Sequence, residues 1–142
     1  MGRRPGRYEK RLMILVDSSV WIDYFLGRDT AQVEILDRSL GVRAVGVGDL
    51  VLTEVLQGFR DDKDYRVART IMDELTVFDM LGKDMAIKSA ENFRKLRKKG
   101  ITIRKTADVI IATYCIEHGL PLLFSDKDFK PFVHHLKLAE VL

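Results

Sequence analysis

Hydrophobic positions follow two alternating patterns along the chain. Short continuous apolar runs, LMILV at residues 12–16 and LPLLFS at 120–125 with LTVFDM at 75–80 between them, are separated by longer stretches in which apolar residues return every three or four positions. A continuous run that stops at a charge suits a strand covered on both faces, whereas the three-and-four spacing lays side chains along one side of a helix. After the first run, Asp17, Ser18 and Ser19 are capping residues for a helix over 20–26 that Gly27 ends. Val33, Leu36 and Leu40 predict a helix over 30–40 stopped by Gly41, and a short strand is expected at 43–47. Leu52, Val55, Leu56 and Phe59 predict a helix over 49–59, and a charged stretch at 60–66, a solvated loop or a helix start, leads into another over 65–75. Beyond the middle strand, 84–99 reads as a long amphipathic helix with a basic last turn, and Thr106 is expected to cap a helix through 117, closed by Gly119.

Strands separated by ten or more helical residues imply parallel pairing through right-handed crossovers. The predicted fold is therefore α/β, a three-layer α/β/α sandwich with a central, mainly parallel sheet. Such sheets place ligands beyond the carboxyl ends of their strands.

Composition narrows the picture. The 142 residues are 46% hydrophobic and include a single cysteine, Cys115, which excludes a disulfide framework and a wholly disordered chain. The net charge of +3 and the pI near 9.0 suggest nucleic acid, but the charge is unevenly placed: residues 1–12 carry +4 and residues 13–142 carry −1. Residues 1–12 read as a basic N-terminal extension or an upstream-start artefact, and residues 13–142 as one domain. The apolar run after the arm is five residues long, short of the roughly 7–15 of a secretory core, and no run approaches the roughly 18 of a membrane span. A soluble cytoplasmic protein is the expectation.

The chemistry lies in four acids. Asp17 and Asp126 follow two core strands and so reach the same rim of the sheet; Glu54 and Asp108 stand in apolar helical contexts, DLVLTEVLQGF and TADVIIATYC. Each has a plain structural explanation, a helix cap or first-turn dipole partner for Asp17 and Asp108, an edge position for Glu54, a turn for Asp126. Together they are harder to dismiss. Carboxylates about 5 Å apart repel by about 3 kcal/mol at an effective dielectric near 20, so a converging cluster needs a cation. Oxygen-only ligands favour Mg²⁺ or Mn²⁺, and such ions can clamp a phosphodiester for in-line displacement. No Cys and His spacing suggests zinc, and His118, His134 and His135 read as surface or packing residues.

At these acids the sequence resembles the PIN-domain nucleases, and among them the VapC toxins of toxin–antitoxin pairs. The resemblance runs over residues 13–142 in four ordered blocks: MILVDSSVWIDYF with Asp17 and Ser19, TEVLQGF with Glu54, GITIRKTADVIIATYC with Asp108, and LPLLFSDKDF with Asp126. It implies an endoribonuclease dependent on Mg²⁺ or Mn²⁺, leaving a 5′-phosphate and a 3′-hydroxyl. It further implies that Asp17, Glu54, Asp108 and Asp126 bind metal, that Ser19 orients a carboxylate or a water, and that the partners are RNA, a small VapB-like antitoxin and a second copy of the chain. Asp128 competes with Asp126 as the fourth acid.

Between residues 92 and 107 stand seven basic groups and no acid. A basic helix end explains part of this run; beside an acidic metal pocket, Arg94, Arg97, Lys98 and Arg104 would also hold a phosphate backbone. Trp21, Phe25 and Leu56 are candidates to line an antitoxin groove or, equally, the core. The rival reading is a non-catalytic RNA- or protein-binding α/β module whose acids are structural.

Overall fold

In the computed structural model, which describes residues 13–42 and 44–142, the first apolar run forms β1 (Ile14–Val16), buried throughout. On one side lies β2 (Val45–Gly48), pairing Ile14 with Val45 and Leu15 with Gly46; on the other lies β4 (Leu122–Leu123), pairing Leu15 with Leu122 and Val16 with Leu123. β3 (Thr76–Phe78) flanks β2, so the sheet order is β3-β2-β1-β4 and every pairing is parallel. The basic extension expected at 1–12 lies outside the described residues, as does Arg43 of the expected second strand.

Parallel neighbours need long crossovers, and each here contains two helices. α1 (Ser18–Phe25) and α2 (Ala31–Ser39) join β1 to β2; α3 (Asp49–Gln57) and α4 (Asp62–Asp73) join β2 to β3; α5 (Lys83–Lys98) and α6 (Thr106–His118) join β3 to β4. Their starts follow local chemistry. The Thr30 hydroxyl accepts the Val33 N–H at 3.0 Å to open α2, and the Asp61 carboxylate accepts the Lys63 N–H at 3.0 Å to open α4. That cap, with Asp62 and Asp64 in the first turn, makes the charged stretch at 60–66 a helix start rather than a solvated loop. Thr106 does not cap α6: the helix starts at Thr106 itself, after extended Lys105, without a side-chain cap.

β1 and β2 are buried residue by residue, so helices cover both faces of the sheet. β2 reads Val-Gly-Val-Gly because β3 and its exit fold across it: a Cβ on Gly46 would come within 2.6 Å of the Phe78 ring, and one on Gly48 would collide with the Met80 side chain. The Asp49 carboxylate ties the same corner, accepting the N–H groups of Leu50 at 2.9 Å and Met80 at 3.1 Å. On the other flank, α5 packs on α6 through a buried bond from Asn92 Nδ2 to Thr113 Oγ1 of 3.0 Å.

The last strand departs from expectation. Of residues 120–125 only Leu122–Leu123 are strand; beyond them the chain leaves the ladder for a 3-10 turn (Lys127–Phe129) and α7 (Lys130–Leu136). No element is expected beyond residue 125, and Pro131 suits this helix because proline is tolerated in a first helical turn. Phe129 and Phe132 are completely buried. The C-terminal segment then runs parallel beside β4, with the Leu122 N–H donating to the Ala139 carbonyl and the Val141 N–H to the Leu122 carbonyl.

The chain visits β1, β2 and β3 in spatial order and returns to the far side of β1 for β4. The rim between β1 and β4 is therefore the point where strand order reverses, the usual ligand position in an open α/β sheet.

Candidate metal centre

Asp17 stands at that rim because β1 ends there. Its backbone N–H donates to the Leu123 carbonyl at 2.9 Å, continuing the β1–β4 pairing, while its carboxylate caps α1. Oδ2 accepts the Ser19 N–H at 3.2 Å and the Ser19 hydroxyl at 2.7 Å. Ser19 Oγ in turn accepts the Ser125 N–H at 3.3 Å, so one hydroxyl joins the exits of both strands. The plain explanation of Asp17 as a cap is thus correct, and it uses only half of the carboxylate. Oδ1 is buried with no hydrogen-bond partner.

Asp126 also makes a local bond, its Oδ1 accepting the Asp128 N–H at 2.9 Å to open the 3-10 turn. That turn brings Asp128 back toward the rim. Asp108, in the first turn of α6, meets both: one carboxylate oxygen each from Asp108, Asp126 and Asp128 lie within 4.8 Å of one another. Asp126 and Asp128, alternatives in the sequence, both join this cluster. Asp17 and Glu54 fall outside the tightest group but within electrostatic reach of it.

The electrostatics link all four expected acids. Burial pushes the Asp17 carboxyl up from its ordinary range, with Asp126 adding to the shift and the Ser19 bonds opposing it. Burial and then the charge of Asp17 raise Glu54, on α3, against the opposing effects of Ser18 and Lys105. Asp108 is pushed up to about 7 by burial, then by Asp17 and Asp126. Lys105, which the sequence reading did not single out, precedes α6 and acts on both Glu54 and Asp108.

Three buried oxygens, Asp17 Oδ1, Glu54 Oε1 and Asp108 Oδ2, lack any hydrogen-bond partner. A buried carboxylate oxygen without a partner is costly, and neighbouring like charges raise the cost. A hard divalent cation answers both, and an all-oxygen donor set suits it. These residues fit such an ion.

The other expected residues divide. Arg104 touches the cluster, its Nη2 standing 3.3 Å from Asp128 Oδ2. Arg94, Arg97 and Lys98 are exposed on α5, where Arg97 lies over the Phe93 ring at 5.4 Å. Cys115 is buried below the site, its thiol pushed up by burial and by Asp17. His118 stacks on Tyr114 with centroids 4.0 Å apart, and His134 and His135 are exposed on α7. Trp21 belongs to the core: it is fully buried and stacks on half-buried Phe25, so it lines no surface groove.

The raised carboxyls set a pH dependence. The folded protein keeps a proton on Asp108 up to about 7, whereas the unfolded chain loses it near 3.8. Between those values the native state binds more protons, so stability falls as pH rises through the window. In chelator, the melting temperature should decline from about pH 4 to about pH 7 from this source, and Mg²⁺ should raise it more at about pH 8 than at about pH 5. A melting temperature in which Mg²⁺ has equal effect at both ends would contradict the cluster.

A sequence profile of the PIN domain matches residues 14–132. The chain is 30% identical to Ribonuclease VapC11 of Mycobacterium tuberculosis over 122 residues, 82% of this chain and 89% of that protein. It is 31% identical to Ribonuclease VapC1 of Methanocaldococcus jannaschii over 114 residues, 80% and 76% of the two chains. Among solved structures it resembles a chain of VapBC2 from Rickettsia felis bound to a promoter DNA fragment, with TM-score 0.72, 16% identity and coverage of 91% and 97%. A chain of a toxin–antitoxin complex from Klebsiella pneumoniae is similar at TM-score 0.67 and 17% identity, covering 90% and 99%.

Proposed function

This chain belongs to the PIN domain family, and from that premise we propose that it is a metal-dependent endoribonuclease acting as the toxin of a toxin–antitoxin pair. The observation that carries the reading is the convergence of Asp108, Asp126 and Asp128 at the strand-reversal rim, beside buried, unpartnered oxygens of Asp17, Glu54 and Asp108. A module with merely structural acids would gain nothing from burying charge without partners. The ribonuclease names of the sequence relatives agree with the reading.

In this proposal Asp17, Glu54, Asp108 and Asp126 hold Mg²⁺ or Mn²⁺, with Asp128 as a further ligand. A divalent cation bound there supplies Lewis acidity, stabilising charge on the phosphate in the transition state and lowering the pKa of a nearby water. Ser19 fixes Asp17 through the 2.7 Å hydroxyl bond and, through Ser125, fixes the Asp126 loop against it. Lys105 and Arg104 present positive charge to the phosphate backbone at the edge of the cluster. Arg94, Arg97 and Lys98 extend that charge along α5.

The domain comprises residues 13–142, with 1–12 as an extension. The partner is a small VapB-like antitoxin, in keeping with the toxin–antitoxin complexes among the similar folds. Exposed Ile22 on α1 and Leu26 at its C-cap, with half-buried Phe25 and Leu56, give it an apolar surface. We further propose a homodimer working in the cytoplasm; no helix of the described residues is long and apolar enough to cross a membrane.

The purified protein should cut RNA with Mg²⁺ or Mn²⁺, leaving 5′-phosphate and 3′-hydroxyl ends, and should stop in chelator. Undiminished cleavage in chelator, or none with either ion, would overturn the reading.

A further inference from the structure

Arg104 and Lys105 are consecutive, yet they serve different parts of the carboxylate cluster. Lys105 acts on Glu54 and Asp108, while Arg104 bonds Asp128. The backbone there is held by buried Ile103 on one side and the start of α6 on the other. The contact is open to solvent: the Arg104 side chain is 79% exposed and that of Asp128 24%. The contact is a single Nη2–Oδ2 approach of 3.3 Å, without the paired geometry of a strong arginine–carboxylate fork. An exposed, single-contact pair of this kind is weak and readily exchanged.

Asp128 therefore has two claimants. Its carboxylate oxygen belongs to the group of three that could hold a cation, and its charge is partly neutralised by a guanidinium from the same chain. A divalent ion drawing on Asp128 competes with that guanidinium by direct repulsion. A displaced guanidinium, still anchored at the rim, has the planar donor set that suits a phosphate.

We propose that Arg104 is an internal counter-cation that occupies Asp128, is displaced when a divalent ion takes that carboxylate, and then receives the RNA phosphate. The proposal rests on the ribonuclease reading and adds a residue that couples metal loading to substrate binding. It makes Arg104 an opponent of metal and a helper of RNA, a combination that neither a solvated surface arginine nor a purely structural ion pair produces.

The test is Mn²⁺ titration of the full chain by calorimetry without RNA, followed by steady-state cleavage. Arg104→Ala should bind Mn²⁺ about threefold to tenfold more tightly and show a KM for RNA raised about tenfold with a smaller change in kcat. Arg104→Lys, which keeps the charge, should bind Mn²⁺ as the parent does. In an Asp128→Asn background Arg104→Ala should no longer tighten Mn²⁺, and Lys63→Ala, which removes the same charge from α4, should leave Mn²⁺ affinity unchanged. Unchanged or weaker Mn²⁺ binding by Arg104→Ala, in a chain that still cuts RNA, overturns this proposal and leaves the ribonuclease reading standing. A parent chain that binds no Mn²⁺ overturns both.

Discussion

Asp108→Asn should lower the rate of RNA cleavage by about 10²- to 10³-fold, the scale of losing one fixed transition-state stabiliser, while making the metal-free protein more stable near neutral pH. Asp108 is buried in the first turn of α6, has an unpartnered Oδ2, and faces the charges of Asp17 and Asp126. Asparagine has nearly the same shape and no charge, so the packing of α6 survives and the repulsion disappears. Activity and stability should thus move in opposite directions, and Mg²⁺ should no longer raise the melting temperature as it does in the parent. Cleavage assays paired with thermal melts in chelator and in Mg²⁺ would show this. A variant that keeps parental activity would remove Asp108 from the chemistry; one that loses activity by unfolding would show its role to be structural.

The second large effect is mechanical. Phe129 is completely buried in the turn that carries Asp126 and Asp128, with its ring 5.2 Å from that of Phe124. Truncating a buried aromatic removes both transfer energy and packing, so Phe129→Ala should cost about 3–5 kcal/mol in denaturant unfolding. The same change frees the turn that brings Asp128 toward Asp108, so Mn²⁺ affinity should fall even in the folded fraction. Phe129→Leu, which refills most of the volume, should recover most of both. Loss of stability without loss of metal affinity would show that the turn is held by its own backbone.

How far the site could be read from the sequence depended on range. Asp17 and Asp126 were accessible because an apolar run that stops at an acid marks a strand end, and parallel neighbours put such ends on one rim. Glu54 and Asp108 were accessible as acids in apolar helices, although their approach to Asp17 is a tertiary fact. Asp128 could not be ranked against Asp126, since only the 3-10 turn shows that both carboxylates return to the same place. The Arg104–Asp128 pair spans 24 positions and depends on two loops with no periodic pattern. Helix α7 spans only seven residues, too few for a periodic pattern to stand out, and what stabilises it is the burial of Phe132.

Ser19 and Ser125 meet across 106 positions. Contacts that distant in sequence form late, because the chain between them must be ordered first. On a ribosome, β1 and its Asp17 emerge well before β4, the turn that carries Asp126 and Asp128, and the segment that borders β4. Until they arrive, Asp17 lacks Asp126 and Asp128 as neighbours and the proposed metal centre is incomplete. A chain order that sets 106 positions between Ser19 and Ser125 therefore makes the assembly of that centre depend on everything folded between them.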